Sequence, residues 1–146
     1  PLYPKDGVFS QNVLSKLKLT ESFILPITTV LAKINISLNK PVQTKELSKL
    51  AETWKELMPA DGQENFKITK IDQDTAFVEI HLHCPLRGTG KVSTCYAFMN
   101  YDRVLMGNVG GSLTVLESQS NSGKPYCKLA IRKIESSTED LIPAHL

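Results

Sequence analysis

The spacing of apolar residues changes at Phe66, and this change limits what the chain can fold into. Before Phe66 the apolar residues recur every three to four positions, the period of a helix with one buried face. From Phe66 they alternate with polar residues over 66–71 and again over 75–84, the period of a β-strand. The intervening Asp72-Gln73-Asp74 is a turn signal, so the two stretches are predicted to form a β-hairpin.

A second pair of strands is predicted after one further helix. Apolar residues return to helical spacing between Cys95 and Asn108, and Gly110-Gly111 is typical of a helix end. Alternation resumes over 112–119 and 126–134. Two hairpins separated by a single helix predict an α+β fold, a four-stranded antiparallel sheet with helices packed mainly on one face.

Two longer helices are predicted before the first strand. The first covers 21–38, with a kink or a late start at Pro26, since proline lacks the N–H that a helix interior needs. The second begins at the N-cap Thr44 and runs through Met58. Residues 1–9 are predicted to be an irregular lead-in to a short helix. The first long helix carries a wide apolar face, which we expect to be buried against a sheet: Ile24, Leu25, Ile27, Val30, Leu31, Ile34 and Leu38.

Trp54 is the only tryptophan, and it falls on the apolar stripe of the second long helix. Leu50 and Met58 lie four residues away on either side, on the same helix face. A tryptophan in such a stripe is more often part of the core than of a ligand site. We therefore expect Trp54 to be a core residue.

Composition and charge bear on the class of protein. Residues 1–146 suit a single domain, in which 135–146 form a polar tail. A net charge of +2 with scattered lysines gives no basis for nucleic-acid binding. The longest apolar region, 23–38, is interrupted by Pro26 and Lys33, so no membrane span is expected. Three cysteines, an odd number, and no secretory signal pattern favour a cytoplasmic protein.

The three cysteines share one property: each lies at the edge of a predicted element. Cys84 closes the second strand, Cys95 opens the helix, and Cys127 opens the last strand. Thiols placed in this way can converge in space, which would make a thiol-rich site. The alternative is that each cysteine packs in the core as a small apolar residue.

Two histidines fall on one face of the second predicted strand. His81 and His83 alternate there with apolar neighbours, so both can reach one ligand, or both can be solvated polar residues. A pocket for a small hydrophobic molecule would be lined mainly by apolar and aromatic side chains with a few polar groups. The residues expected to face such a pocket and contact its ligand are Phe77, His81, Phe98, Tyr101 and Met106.

The second half of the chain resembles the vinyl-4-reductase domain. The similarity lies in Cys95-Tyr96-Ala97-Phe98 at the helix start, in 115–119, and in Gly123 followed by 127–131. The helix, turn and strand between Glu46 and Phe66 also look like the middle of that family. The resemblance implies a small-molecule-binding module, used alone or as the sensor domain of regulators that detect aromatic compounds.

The same resemblance implies a zinc site. In the aromatic-sensing members three cysteines and an acidic residue hold a structural zinc. Here Gln119 stands where one of those cysteines is expected, eight residues before Cys127. The metal ligands implied for this chain are Cys84, Cys95, Cys127 and Glu117, with His83 as an alternative to the glutamate.

The sequence is also compatible with two functions other than ligand binding. The first is a hydrolase or reductase with Cys84 or Cys95 as nucleophile and His81 or His83 as base. Cys95 at a helix N-terminus would have a lowered thiol pKa. The second is a scaffold that forms a homodimer through the helix 21–38, because the fold also resembles subunits of vesicle-tethering complexes.

Overall fold

Four antiparallel strands and the helices around them make up residues 21–146, the part of the chain that the computed structural model describes. The predicted lead-in 1–9 and the short helix after it lie outside these residues. The strands are β1 (Phe66–Ile71), β2 (Ala76–Ile80), β3 (Gly111–Glu117) and β4 (Cys127–Lys133).

The strands form one sheet in the order β1-β2-β4-β3. Both predicted hairpins are present, and β2 pairs with β4 between them, with Val78 opposite Leu129. All three pairings are antiparallel, which confirms the predicted α+β fold with its four-stranded antiparallel sheet. The second strand is shorter than predicted, because it ends at Ile80 and not at residue 84.

The helices of the described part run close to the predicted ranges. Their bounds are α1 (Glu21–Asn39), α2 (Leu47–Glu56), α3 (Val92–Phe98), α4 (Asn100–Val109) and the single-turn α5 (Gln119–Ser122), with a 3-10 helix at Ala60–Asn65. The single helix predicted from Cys95 to Asn108 begins earlier and is divided at Met99. No helix within 21–146 is long and apolar enough to span a membrane.

Gly110 ends α4 in the left-handed conformation, with φ of 100°. A side chain is strained at this φ, and a Cβ there would also lie 2.8 Å from the backbone oxygen of Thr44. The nearby Thr44 N–H donates to the carbonyl of Val109 at 2.9 Å. This close approach joins the end of α4 to the segment that leads into α2.

The core lies between one face of the sheet and the helices α2 and α4. Alternate strand residues supply the sheet side, and the apolar stripes of the two helices supply the other side. Trp54 is fully buried and packs its ring edge-on to Phe66, with ring centres 5.5 Å apart. The sequence prediction that Trp54 belongs to the core is confirmed. The side chains with no exposed surface in this layer include Leu50, Leu105, Met106, Val109, Leu129 and Ile131.

Helix α1 does not pack on the sheet, contrary to the expectation from its apolar face. Its contacts are with α3 and α4, because α2 and α4 already cover that face of the sheet. The buried line of α1 is Ile24, Thr28 and Ala32. Thr28 belongs to it because its hydroxyl donates to the carbonyl of Ile24 at 2.8 Å, within its own turn. Much of the predicted apolar face is exposed instead: Leu25, Val30 and Leu38, together with Phe23.

The polar tail 135–146 is docked on the rest of the chain. Arg132, which is 6% exposed, donates through Nη1 and Nη2 to the two carboxylate oxygens of Asp140 at 2.5 and 2.8 Å. Farther along, the N–H of Ala144 donates to the carbonyl of Val115 in β3 at 2.8 Å. The ring of His145 lies 4.1 Å from that of Tyr96. The tail is therefore bound at separate points along its length.

Replacement of Trp54 by alanine should destabilise the protein by about 3–5 kcal/mol, because it removes a fully buried aromatic ring and leaves a cavity. Denaturant unfolding measures the effect. Glu52→Ala, an exposed position of the same helix, is the control and should stay within about 0.5 kcal/mol of wild type. A loss below about 1 kcal/mol for Trp54→Ala would contradict the core role of this side chain.

Candidate functional site

A cavity of about 100 Å³ lies where β2, the loop after it, α3 and α4 meet. Most of its wall is apolar, as in Phe66, Ile80, Leu82, Leu86 and Phe98. The remaining wall is made by side chains that can take part in polar contacts or chemistry: His83, Cys84, Cys95, Asp102, Gln119 and Cys127.

The structure brings all three cysteines to the wall of this one cavity, although they are distant in sequence. Cys84 lies in the loop after β2, Cys95 in α3, and Cys127 at the start of β4. Two of the sulfurs accept backbone N–H groups: Cys84 Sγ from Leu86 and Cys127 Sγ from Gln119, both at 3.4 Å. These weak hydrogen bonds fix the positions of the Cys84 and Cys127 sulfurs.

Burial keeps these thiols protonated at neutral pH. It raises the pKa of Cys95 to about 12 and that of Cys127 to about 11, and it also raises the pKa of Cys84. The expected lowering of the Cys95 pKa by a helix N-terminus is wrong. Helix α3 begins three residues earlier than Cys95, whose N–H already donates to the carbonyl of Lys91 at 3.1 Å, so burial dominates.

The described residues do not form the zinc site that the resemblance implies for Cys84, Cys95, Cys127 and Glu117. No group of three or more His, Cys, Asp or Glu side chains between residues 21 and 146 is arranged to hold a metal ion. The carboxylate of Glu117 is paired with Lys124 Nζ at 2.6 Å. Gln119 also stands where the resemblance expects one of the three cysteines.

Gln119 instead ties together the elements that surround the cavity. Its side-chain oxygen accepts from the N–H of Cys84 at 3.3 Å and from Arg87 Nε at 2.8 Å. Its side-chain nitrogen donates to the carbonyl of Leu82 at 2.6 Å. The residue is 1% exposed, so these bonds satisfy an amide that would be costly to bury alone. Gln119 holds the loop after β2 against α5.

The residues predicted to bind a ligand are only partly brought together. Phe98 and Tyr101 line the cavity. Met106 is not in its wall, because it is fully buried in the core between α4 and the sheet. Phe77 alternates along β2 with the buried Ala76 and Val78, which places it on the other face of the sheet. His81 follows the end of β2 and is not in the cavity wall.

The two histidines proposed as bases have different surroundings. His81 stacks on Tyr126, with ring centres 5.4 Å apart, and its Nε2 lies 3.4 Å from the carboxylate of Glu79. His83 follows the end of β2 and lines the cavity beside Cys84, although it is exposed. Of this pair, only His83 is placed to meet a molecule in the cavity.

Asp102 is the site residue that the sequence analysis missed. It is 7% exposed, lines the cavity, and accepts a hydrogen bond from Trp54 Nε1 at 2.8 Å. Burial raises the pKa of its carboxyl to about 6, against an ordinary value of 3.8. A signal was present in the sequence. Asp102 lies four residues after Phe98 and three before Leu105, on the apolar face of the helix.

No protein-family model, curated protein or solved structure significantly matches this chain. The resemblance to the vinyl-4-reductase domain therefore stays a prediction.

The thiols of Cys95 and Cys127 should react with iodoacetamide at pH 7 at least roughly tenfold more slowly than free cysteine. The thiolate is the nucleophile, and burial makes it scarce, while the higher nucleophilicity of a more basic thiolate offsets part of that loss. Peptide mapping by mass spectrometry measures each site separately. The urea-denatured protein is the control, in which all three cysteines should react alike. Fast labelling of folded Cys95 would show that its thiolate is accessible.

The free energy of unfolding of Asp102→Asn, taken relative to that of wild type, should increase as the pH rises from 4 to 7.5. The expected increase is on the order of 1–3 kcal/mol. The folded-state pKa of about 6 lies above the ordinary 3.8, so the folded chain binds this proton more tightly. The stability that Asp102 contributes is fully present below pH 3.8 and is lost as the pH rises through 6.

The asparagine in the variant does not ionise, so the variant does not lose stability in this way as the pH rises. Its side chain also keeps an acceptor for Trp54 Nε1. Denaturant midpoints of both proteins at each pH give the difference, in which the titration of all other groups cancels. A difference that stays constant with pH, or that shrinks as the pH rises, would contradict the raised pKa of Asp102.

Proposed function

We propose that this chain is a binding module for a small, largely apolar molecule that occupies the cavity between β2, α3 and α4. The observation that carries the proposal is the composition of the wall. Side chains from three helices, three strands and the loop after β2 surround a mostly apolar space, with a few polar groups among them. This is the usual construction of a small-molecule site.

The size of the cavity limits the ligand. Its volume is about 100 Å³, and an apolar cavity of about 150 Å³ binds benzene in another protein. The present cavity is smaller than that one, so a rigid group larger than a single ring does not fit inside without movement of the wall. Aromatic side chains such as Phe98 and Tyr101 give such a ring flat surfaces to pack against.

The state of the thiols favours binding over cysteine-based catalysis. A nucleophilic cysteine needs a lowered pKa, whereas burial raises the pKa of all three cysteines in this cavity. Protonated thiols behave as small polarisable apolar groups, which suits a ring. The cavity wall is better suited to hold a molecule than to attack one.

Trp54 provides a direct test with toluene as the probe. It is the only tryptophan, and its Nε1 donates to Asp102, which lines the cavity, so its fluorescence should change when toluene enters. Native mass spectrometry of the purified protein tests separately whether a molecule is retained from the host cell. Absence of any toluene response in the fluorescence titration would overturn the proposed function.

Two matched variants locate the binding in this cavity. Cys84→Phe places a ring in the cavity itself and should weaken toluene binding by at least about tenfold. Phe77→Leu changes an aromatic residue on the opposite face of the sheet and should leave binding within about threefold of wild type. Equal binding by wild type and Cys84→Phe would place the probe elsewhere.

A further inference from the structure

The cavity contains a buried carboxylate that the apolar character of its ligand does not explain. Asp102 is more than nine-tenths buried, and Trp54 Nε1 supplies one hydrogen bond to it. Within residues 21–146, the other donor at this carboxylate is the backbone N–H of Asp102 itself. An ionised carboxylate with two neutral donors retains free acceptor positions, and Asp102 lines the cavity.

No basic side chain within residues 21–146 forms an ion pair with Asp102, although the charge of Arg103 lowers the pKa of this carboxyl against the larger opposing effect of burial. Arg103 is the next residue, but its Nη2 donates to the carbonyl of Tyr96 at 2.6 Å and its guanidinium lies 3.8 Å above the Tyr96 ring. Arg103 also lines a second cavity, between α3, β3 and the tail, and it does not line the first. Asp102 therefore has no direct ion-pair partner within residues 21–146, and it lines the cavity.

The other polar groups in the wall are engaged or peripheral. The side-chain oxygen of Gln119 accepts two hydrogen bonds and its nitrogen donates one. His83 is exposed at the edge of the cavity. The sulfurs of Cys84 and Cys127 accept backbone N–H groups. Asp102 is therefore the group that can give a bound molecule a fixed orientation.

We infer that the ligand is a single-ring molecule bearing a cationic amine, with the ring against Phe98 and Tyr101 and the amine on the Asp102 carboxylate. This inference rests on the proposed function and adds the chemical class of the ligand. An ammonium group donates up to three hydrogen bonds and supplies the missing positive charge. The carboxylate of Asp102 is already largely removed from water in the free protein, so its own desolvation does not oppose pairing with an ammonium group.

Three probes of the same ring size test the inference: toluene, benzyl alcohol and benzylamine, titrated against the Trp54 fluorescence at pH 7.5. Benzylamine should bind wild type at least about tenfold more tightly than benzyl alcohol. In Asp102→Asn this preference should disappear, because the variant has no carboxylate to pair with the amine. The asparagine is nearly isosteric and can still accept from Trp54, so it removes the charge with little change in shape.

The outcomes separate this inference from the proposed function. Binding of toluene and benzyl alcohol with no preference for benzylamine would overturn the inference and leave the binding function standing. A preference that survives in Asp102→Asn would overturn the role of Asp102. Failure of all three probes to bind would overturn the proposed function and the inference together.

A measurement on wild type covers the case in which Asp102→Asn does not fold. The preference for benzylamine should fall as the pH is lowered through 6, because the carboxyl then takes up a proton. The other ionisable groups around Asp102 are Arg103 and Tyr101 on its own helix, with His83, Cys84, Cys95 and Cys127 from the remaining wall. His83→Gln should keep the pH response, and its loss in that variant would assign the effect to the histidine and overturn the inference.

Discussion

Burial of one sheet face beneath α2 and α4 is the constraint on which the other features of this protein depend. Leu129 and Ile131 in β4 and Leu50 and Leu105 in the helices have no exposed surface, so this layer has no room for a third helix. Helix α1 is therefore displaced to the outside of α3 and α4. The cavity lies at one end of the same layer, where the loop after β2 replaces regular strand.

The hydrogen bond between Trp54 and Asp102 connects that core to the cavity. Trp54 is a fully buried member of α2, and Asp102 belongs to α4 and borders the cavity. A carboxylate at this position lowers stability at neutral pH, because burial disfavours its charged form. Groups that are unfavourable for folding are often those that bind or react, so this cost is consistent with a role in recognition.

The fold was largely predictable because it depends on periodicity, which a single sequence contains. Strand β1 was predicted residue for residue, and the change of period at Phe66 is where it begins. The packing partner of α1 was not predictable. Its apolar residues show that one side can be buried, but they do not say which element is available to cover it.

The candidate site was predicted less well, for identifiable reasons. His81 and its apolar neighbours fall on opposite faces of the second predicted strand, but the sequence does not say which face borders a cavity. The more apolar face is the one that meets the helices, so Phe77 and His81 lie outside the cavity wall, whereas Phe98 and Tyr101 line it. Asp102 was missed because a single acidic residue in a helix is usually solvated, and only its tertiary surroundings make it unusual.

The docked tail has a consequence for how the sheet meets other chains. β3 is an edge strand, and the tail bonds to it at Val115, so part of that edge is already paired. The opposite edge, β1, has no such cover in the described chain. It carries the exposed lysines Lys67 and Lys70 and an irregular register between Ile68 and Lys70, features that oppose pairing with another strand. Removal of the C-terminal tail would expose the β3 edge to pairing with a strand of another chain. The β1 edge would still be protected by its lysines and its irregular register.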